Sequence, residues 1–482
     1  MQKKFVTNLA FLLFINLLIK PFWVLGIDRE VQNVVGAENY GIYFAIFNFT
    51  FLLNIVLDVG ITNFNNKNIA QNNHLLTKHF SSLVVVKFLL AVFYIALTAI
   101  VGLAIGYDYR LMKLLLILGL NQFLISFTLY LRSNIAGLHL FWVDSIVSVL
   151  DRFIMIIFCL FLLKHPTLFG IEGGIDIMHF VYAQTAAYLA TSIITFIIVI
   201  SKTEVFRFTL SRAFTMMIFK KSIPFAILVM LMAFYNRLDT VMLERMLPDG
   251  AMQAGIYAQA YRLLDATNMI AFLFSGLLLP IFSRMLKHKE SVEALVKIAF
   301  ILLMTPAIII AIGCWFYSQE LMGLLYKEHI ESSALVFALL MSCFAAISTT
   351  YIFGTLLTAN GNLRELNLMA ACGIMINIVL NLFLIPRYFA AGSAVSSLVT
   401  QFLTALMQVL IVQNIFKFKI NYRLILLLII FIAGVILINY FSKAIHENWV
   451  INFVCMVSAS VIWAFAIRIL SFKSMFRILK YG

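Results

Sequence analysis

Charge is scarce in this chain: only 12% of its residues are Asp, Glu, Lys or Arg, against about a quarter in a soluble globular protein. Proline is scarce too, seven in 482 residues, so little interrupts a long helix. The five cysteines (Cys159, Cys314, Cys343, Cys372 and Cys455) each stand alone inside an apolar run, with no C-x-x-C and no histidine at ligand spacing. A disulfide scaffold and a zinc site are thereby excluded. The chain has no G-x-x-x-x-G-K-[ST], no H-E-x-x-H and no G-x-S-x-G, which removes Walker-type nucleotide hydrolysis, zincin chemistry and a nucleophile elbow. No cofactor is expected.

What is abundant is apolar: 63% of residues are hydrophobic, 46 are Phe, and mean hydropathy is +1.01. A water-soluble fold of this size could not bury so much apolar side chain. The expected class is an all-α polytopic membrane protein. A spanning helix needs about 20 apolar residues. Fourteen such stretches are predicted, near 7–27, 40–62, 81–105, 111–131, 144–163, 176–200, 222–247, 255–283, 294–316, 332–357, 366–386, 392–416, 423–441 and 449–470. The start, Met1-Gln2-Lys3-Lys4 before an apolar run, imitates a signal peptide but lacks a small-x-small cleavage site; an uncleaved first helix is expected.

The net charge of +14 would suggest nucleic acid in a soluble protein. Here no basic run is interleaved with exposed aromatics, so no nucleic-acid partner is expected. The excess instead follows the positive-inside rule. With the N-terminus inside, loops from Lys3 to Lys480 place 21 Lys and Arg on the inner side and 8 on the outer side. Both termini are expected in the cytoplasm.

Gly41-Ile42-Tyr43 opens the second span and Gly255-Ile256-Tyr257 the eighth, an offset of 214 residues. The same offset carries the start of span 3 to that of span 9. This predicts two six-helix lobes, 1–200 and 222–416, joined by a basic cytoplasmic linker at 201–221. Residues 417–482 form two additional helices and a cytoplasmic tail. Six helices per lobe is an even number, so the lobes would be related by a pseudo-two-fold along the membrane normal.

Charges inside a bilayer cost several kcal/mol and mark a cavity, a partner or an ion path. Lys20, Arg237 and Arg262 are predicted at a shared level in the outer half, on helices 1, 7 and 8. A cationic cavity follows as an expectation, with an anion as its guest; phosphate suits arginine's planar fork. Asp151, Asp239 and Asp265 are the carboxylates available for ion coupling. Bland readings stand beside these. Lys20 and Lys87 can snorkel to the headgroups; Arg262 and Asp265, three apart, can neutralise one another. Asp58-x-Gly60 can cap or pack, and Asp144 and Asp151 share a helix face. Buried amides such as Gln184, Asn377, Asn381 and Gln408 can bond between helices. Asp28-Arg29-Glu30 is a D-x-E in the first outer loop, which a membrane glycosyltransferase could use; the alternative is a solvated loop.

Val34-Val35-Gly36-Ala37-Glu38-Asn39-Tyr40-Gly41-Ile42-Tyr43 and Asp58-Val59-Gly60 carry a likeness. So do Asn236-Arg237-Leu238-Asp239, Gly255-Ile256-Tyr257 and Tyr261-Arg262-Leu263. The whole chain resembles the bacterial oligosaccharide (O-antigen/capsule repeat unit) flippase family of the MOP flippase superfamily, with Val35 where a Leu is usual. The resemblance implies a bacterial cytoplasmic (inner) membrane transporter, not an enzyme. Its cargo would be undecaprenyl-diphosphate-linked oligosaccharide, moved from the inner to the outer leaflet by alternating access for surface polysaccharide biosynthesis. It implies membrane lipids and a polysaccharide polymerase or ligase as partners, and leaves coupling to an H⁺ or Na⁺ gradient open. The alternatives are a MATE-like ion-coupled exporter and a membrane glycosyltransferase or polymerase using lipid-linked sugars.

Overall fold

The computed structural model describes residues 11–203 and 212–470, apart from positions 12–13, 17, 63–64, 66–68, 70–74, 139, 170, 172–173 and 420. The start of the first span, the middle of the basic linker and the C-terminal tail lie outside the described residues. The protein is all-α. A helical segment entering from Phe11 passes through a π-helical turn at Trp23–Asp28 into α1 (Arg29–Val35). Then come α2 (Ala37–Leu52), α3 (Leu75–Ile105), α4 (Tyr109–Gly137), α5 (Phe141–Lys164) and α6 (Ile177–Ile200). After them come α7 (Arg212–Met246), α8 (Gly250–Lys287), α9 (Glu293–Phe316), the short α10 (Ser318–Leu325) and α11 (Ile330–Asn360). Last are α12 (Leu363–Phe416), α13 (Tyr422–Ser442) and α14 (Trp449–Ala466).

Among the described residues, eleven helices are long and apolar enough to cross a membrane. Helices are the form such segments must take, because hydrocarbon offers backbone amides no partner. Local polar residues mark the starts. The Asp108 carboxylate accepts from Leu111 N, Asn421 caps α13, Asn448 caps α14, and Asp176 and His179 form a capping box on α6. Gly361 ends α11 at φ 85°, a backbone that costs a glycine little.

Four predicted spans take a different shape. The eleventh and twelfth run within α12, whose 54 residues are bent at Phe389 (φ 53°, ψ −135°) just after Pro386. The second does not continue to residue 62. It ends at Leu52, passes through a 3₁₀ turn at Asn54–Leu57, and turns at Val59 (φ 44°) and Gly60 (φ 80°). The third, α3, begins at Leu75, earlier than predicted.

The chain divides into two compact units, Met1–Glu244 and Arg245–Gly482. In the first, α4 packs on α2, α3, α5 and α6. Polar side chains tie the helices together: Gln184 Nε2 donates to Tyr43 Oη at 2.9 Å, and Thr128 and Ser192 hydroxyls meet at 2.7 Å. In the second, α11 packs on α8, α9, α10 and α12. The α13–α14 hairpin closes on α9 through Ile308, Ile309, Phe431, Val435 and Ala464.

The break after α2 creates a need that Lys87 meets. Lys87 lies in α3 and is 1% exposed, so it does not snorkel. Its ammonium donates to Leu57 O at 2.9 Å and Ser126 Oγ at 3.2 Å, and pairs with the Asp58 carboxylate. Asp58 also accepts from Thr62 N at 3.2 Å and from its hydroxyl. A carbonyl freed by the broken helix and a buried ammonium thus satisfy one another. Removing one partner of a buried pair leaves an uncompensated charge. Lys87→Met is therefore expected to destabilise the protein by about 3 kcal/mol, while Lys87→Met combined with Asp58→Asn recovers part of the loss. Thermal unfolding in detergent, compared between the two variants, checks this.

Candidate functional site

Helix 1 carries Asn16, Lys20 and Trp23 at spacings of four and three, so they share one face. On α5, Ser148 and Arg152 are likewise four apart. Asn16 Nδ2 donates to Ser148 Oγ at 2.9 Å, which fixes the two helices side by side. One turn further along both helices, Lys20 and Arg152 come into each other's field. Arg152, Asp151 and Arg132 are the charged groups that act on Lys20. The Lys20 ammonium has no hydrogen-bond or ion-pair partner among the described residues.

Arg152 is held differently. Its guanidinium lies 5.7 Å from the Trp23 ring centre and 5.7 Å from that of Tyr188, and Nη1 donates to Tyr188 Oη at 3.0 Å. Two aromatic faces stabilise a cation by roughly 0.5–2 kcal/mol each and fix its plane. Trp23 is in turn stacked on Phe180 at 6.0 Å. Asp151 accepts from Arg152 N at 2.7 Å, and its other oxygen stands 3.9 Å from Arg152 Nε. The side chains of Arg152 and Asp151 are 28% and 25% exposed.

Asp144 does not join Asp151 in a carboxylate pair. Arg132 takes it in a forked contact, Nε at 2.8 Å and Nη2 at 3.3 Å. Nor does Asp28 stand in a solvated loop. It is 2% exposed at the end of the π-helical turn and accepts from Tyr40 Oη at 2.7 Å. The helical run through this turn to Val35 also deepens Lys20, which lies about 22 Å before its end at 1.5 Å per residue.

Arg237 sits in α7 against other partners. Its Nη1 donates to Asn48 Oδ1 at 3.4 Å, and its guanidinium lies 5.2 Å from the Phe51 ring centre. Asn48 Nδ2 donates onward to Thr240 Oγ1 at 3.3 Å. Asp239, two residues along, is 1% exposed. Arg262 and Asp265 belong to the second unit, both partly buried on α8. The structure therefore brings Lys20 together with Asp151, and sets Arg237 beside Asp239 on one helix. Sequence reasoning left out Arg152. The signal for it was present: a polar residue followed four later by a cation occurs in both helix 1 and α5. Among the described residues, no group of three His, Cys, Asp or Glu could hold a metal ion.

The sequence matches no curated protein. In fold, the chain is similar to "Lipid II flippase MurJ, inward closed conformation", with a TM-score of 0.76 and 13% identity over 95% of this chain and 98% of that one. It is also similar to an inward-facing multidrug resistance MATE transporter of the MOP superfamily (TM-score 0.62, 13% identity, 86% and 99% covered). A third likeness is to a MOP superfamily transporter from Pyrococcus furiosus Vc1, described by a reverse polarity of its binding pocket (TM-score 0.55, 14% identity, 84% and 92% covered). The polysaccharide biosynthesis protein family matches residues 8–286, more than half of the sequence. Its many apolar helices share the fold of these transporters, and the chain, in agreement with the resemblance in its sequence, belongs to the polysaccharide biosynthesis protein family.

Proposed function

We propose that the protein is a flippase that carries undecaprenyl-diphosphate-linked oligosaccharide from the inner to the outer leaflet of a bacterial cytoplasmic membrane by alternating access. The observation that carries this reading is the cation surplus at helix 1. Lys20 and Arg152 share one place in an apolar bundle, with the Asp151 carboxylate beside them. Such a surplus is costly in hydrocarbon unless an anion joins it. A diphosphate is an anion that is itself tethered to a membrane lipid. Arg237, another partly buried cation of the first unit, adds to the same preference. A cationic cargo would meet repulsion here, which disfavours a MATE-like exporter. The family match and the likeness to a lipid II flippase support the same class. The lysine- and arginine-rich loops support termini in the cytoplasm, and the polysaccharide family supports a polymerase or ligase acting on the delivered cargo.

Purified protein in liposomes containing a fluorescent diphosphate-linked oligosaccharide tests the reading. Accessibility to an enzyme outside should rise with the mass of the lipid unchanged. A changed mass would indicate a transferase, and no change in either would overturn the flippase reading. In the same assay Lys20→Met and Arg237→Ala should each lower the rate by about tenfold or more, since a charge-assisted hydrogen bond is lost. Normal rates in both variants would remove the cations from the mechanism.

Coupling to an H⁺ or Na⁺ gradient is proposed at the carboxylates, with buried Asp239 the first choice over Asp151 and Asp265. Asp239→Asn should leave transport insensitive to collapsing the gradient with an ionophore; retained sensitivity would exclude Asp239 from coupling.

A further inference from the structure

We propose that one membrane face of the second unit is a docking surface for anionic lipid headgroups, and that Lys289, Lys417 and Arg468 stand on it in spite of backbone strain. The surface is independent of what the protein carries. All three residues close a helix: Lys289 follows α8, Lys417 follows α12 and Arg468 follows α14. All three are left-handed, at φ 55°, 51° and 60°. An L residue is strained there because its Cβ crowds a neighbouring carbonyl, whereas glycine adopts the conformation freely. The backbone bonds at these ends are the ones that a glycine usually completes. Lys289 N donates to Leu286 O at 3.1 Å and Glu290 N to Met285 O at 2.9 Å. Arg468 N donates to Phe465 O at 3.0 Å and Ile469 N to Ala464 O at 3.1 Å. Lys417 N donates to Gln413 O at 2.9 Å. Elsewhere the chain has glycine at the same position: Gly106 ends α3 and Gly361 ends α11, each with the paired bonds. Glycine therefore suits such ends in this fold, and three of them carry a cation instead.

The three ends lie on one side. Spans alternate in direction, and α8, the second arm of α12 and α14 all finish where the loop charges place the cytoplasm. Lys289, Lys417 and Arg468 are exposed. On that side the segments 284–297, 361–365 and 417–423, with Arg468, carry nine Lys and Arg against three Glu. The opposite side of the same unit, at 245–250, 317–331, 386–390 and 443–449, carries four against five acidic residues. A helix dipole also favours a cation at a C-terminus, and that is the competing account. It fits α8 poorly, because the last turn of α8 already holds Arg284 and Lys287. The surface suits a partner that is negatively charged, laterally extended and present at the depth of the helix ends. Phosphodiester headgroups of the adjoining leaflet meet all three conditions, and each Lys or Arg near them strengthens attachment by about fivefold.

The test uses the full chain in an uncharged detergent, with phosphatidylglycerol, phosphatidylcholine or inorganic pyrophosphate titrated in. Thermal unfolding reads both the stability without additive and the apparent affinity of each additive. Phosphatidylglycerol should stabilise the wild type more than phosphatidylcholine does, and high salt should shrink the difference. Replacing all three residues by glycine should raise Tm without lipid by about 2 °C or more. It should also lower the affinity for phosphatidylglycerol at least about tenfold. Lys289→Gln, Lys417→Gln and Arg468→Gln together should lower the affinity equally without the gain in Tm. Exchanging Lys for Arg and Arg for Lys at the three positions should keep wild-type affinity. Each single glycine variant should lose about fivefold, so the outcome does not depend on the triple variants folding. Equal stabilisation of the wild type by the two lipids would overturn the proposal, as would wild-type affinity in the glutamine variant. A lower Tm in the glycine variant would assign the three cations to the helix ends instead. Stabilisation by pyrophosphate equal to that by phosphatidylglycerol would replace the leaflet with a soluble anion.

Discussion

A charge placed in hydrocarbon must find its solvation within the protein, because no water reaches it there. With so few charged residues, the way each buried one is satisfied shapes its surroundings. Lys87 and Asp58 show this at the end of α2. The broken helix exposes a carbonyl at Leu57, the turn through Val59 and Gly60 brings up a carboxylate, and one ammonium closes both. Neither the break nor the lysine would be tolerable alone. Together they let the second span stop short inside the bundle.

The same constraint separates the legible from the illegible. The spans were readable because apolar length is a local property, and most bounds fall within a few residues of expectation. The bend in α12 was legible only in part, since Pro386 warns of a kink but the distorted residue is Phe389. The break after Leu52 was harder still. Gly60 signals a turn, whereas a left-handed valine beside it depends on partners in α3 and α4 that no local pattern announces.

Single charges were likewise visible, and their grouping was not. Lys87 reads as a snorkelling lysine until Asp58, 29 residues away, is placed against it. Asp144 and Asp151 read as a pair by helix periodicity until Arg132 takes Asp144. Arg152 was not among the candidate site residues. In space aromatic rings from helix 1 and α6 flank it, and the Tyr188 hydroxyl accepts from it. Helical spacing says which residues share a face, but the neighbouring face comes from packing.

Four buried or partly buried cations of the first unit mark a gradation from structure to function. Lys87 is surrounded by a carbonyl, a carboxylate and a hydroxyl, and its charge is spent on holding the fold. Arg132 is forked onto one carboxylate, and that pair is equally complete. Lys20 and Arg152 break the series. One has no bonded partner among the described residues, and the other is steadied by ring faces and a phenol. Ring faces stabilise a cation without neutralising it, so the local field stays positive. A chain that neutralises Lys87 and Arg132 so fully has the means to do the same at helix 1. Aromatic faces and the Asp151 carboxylate stand there instead of a complete ion pair for Lys20, which agrees with the anion-carrying function proposed above.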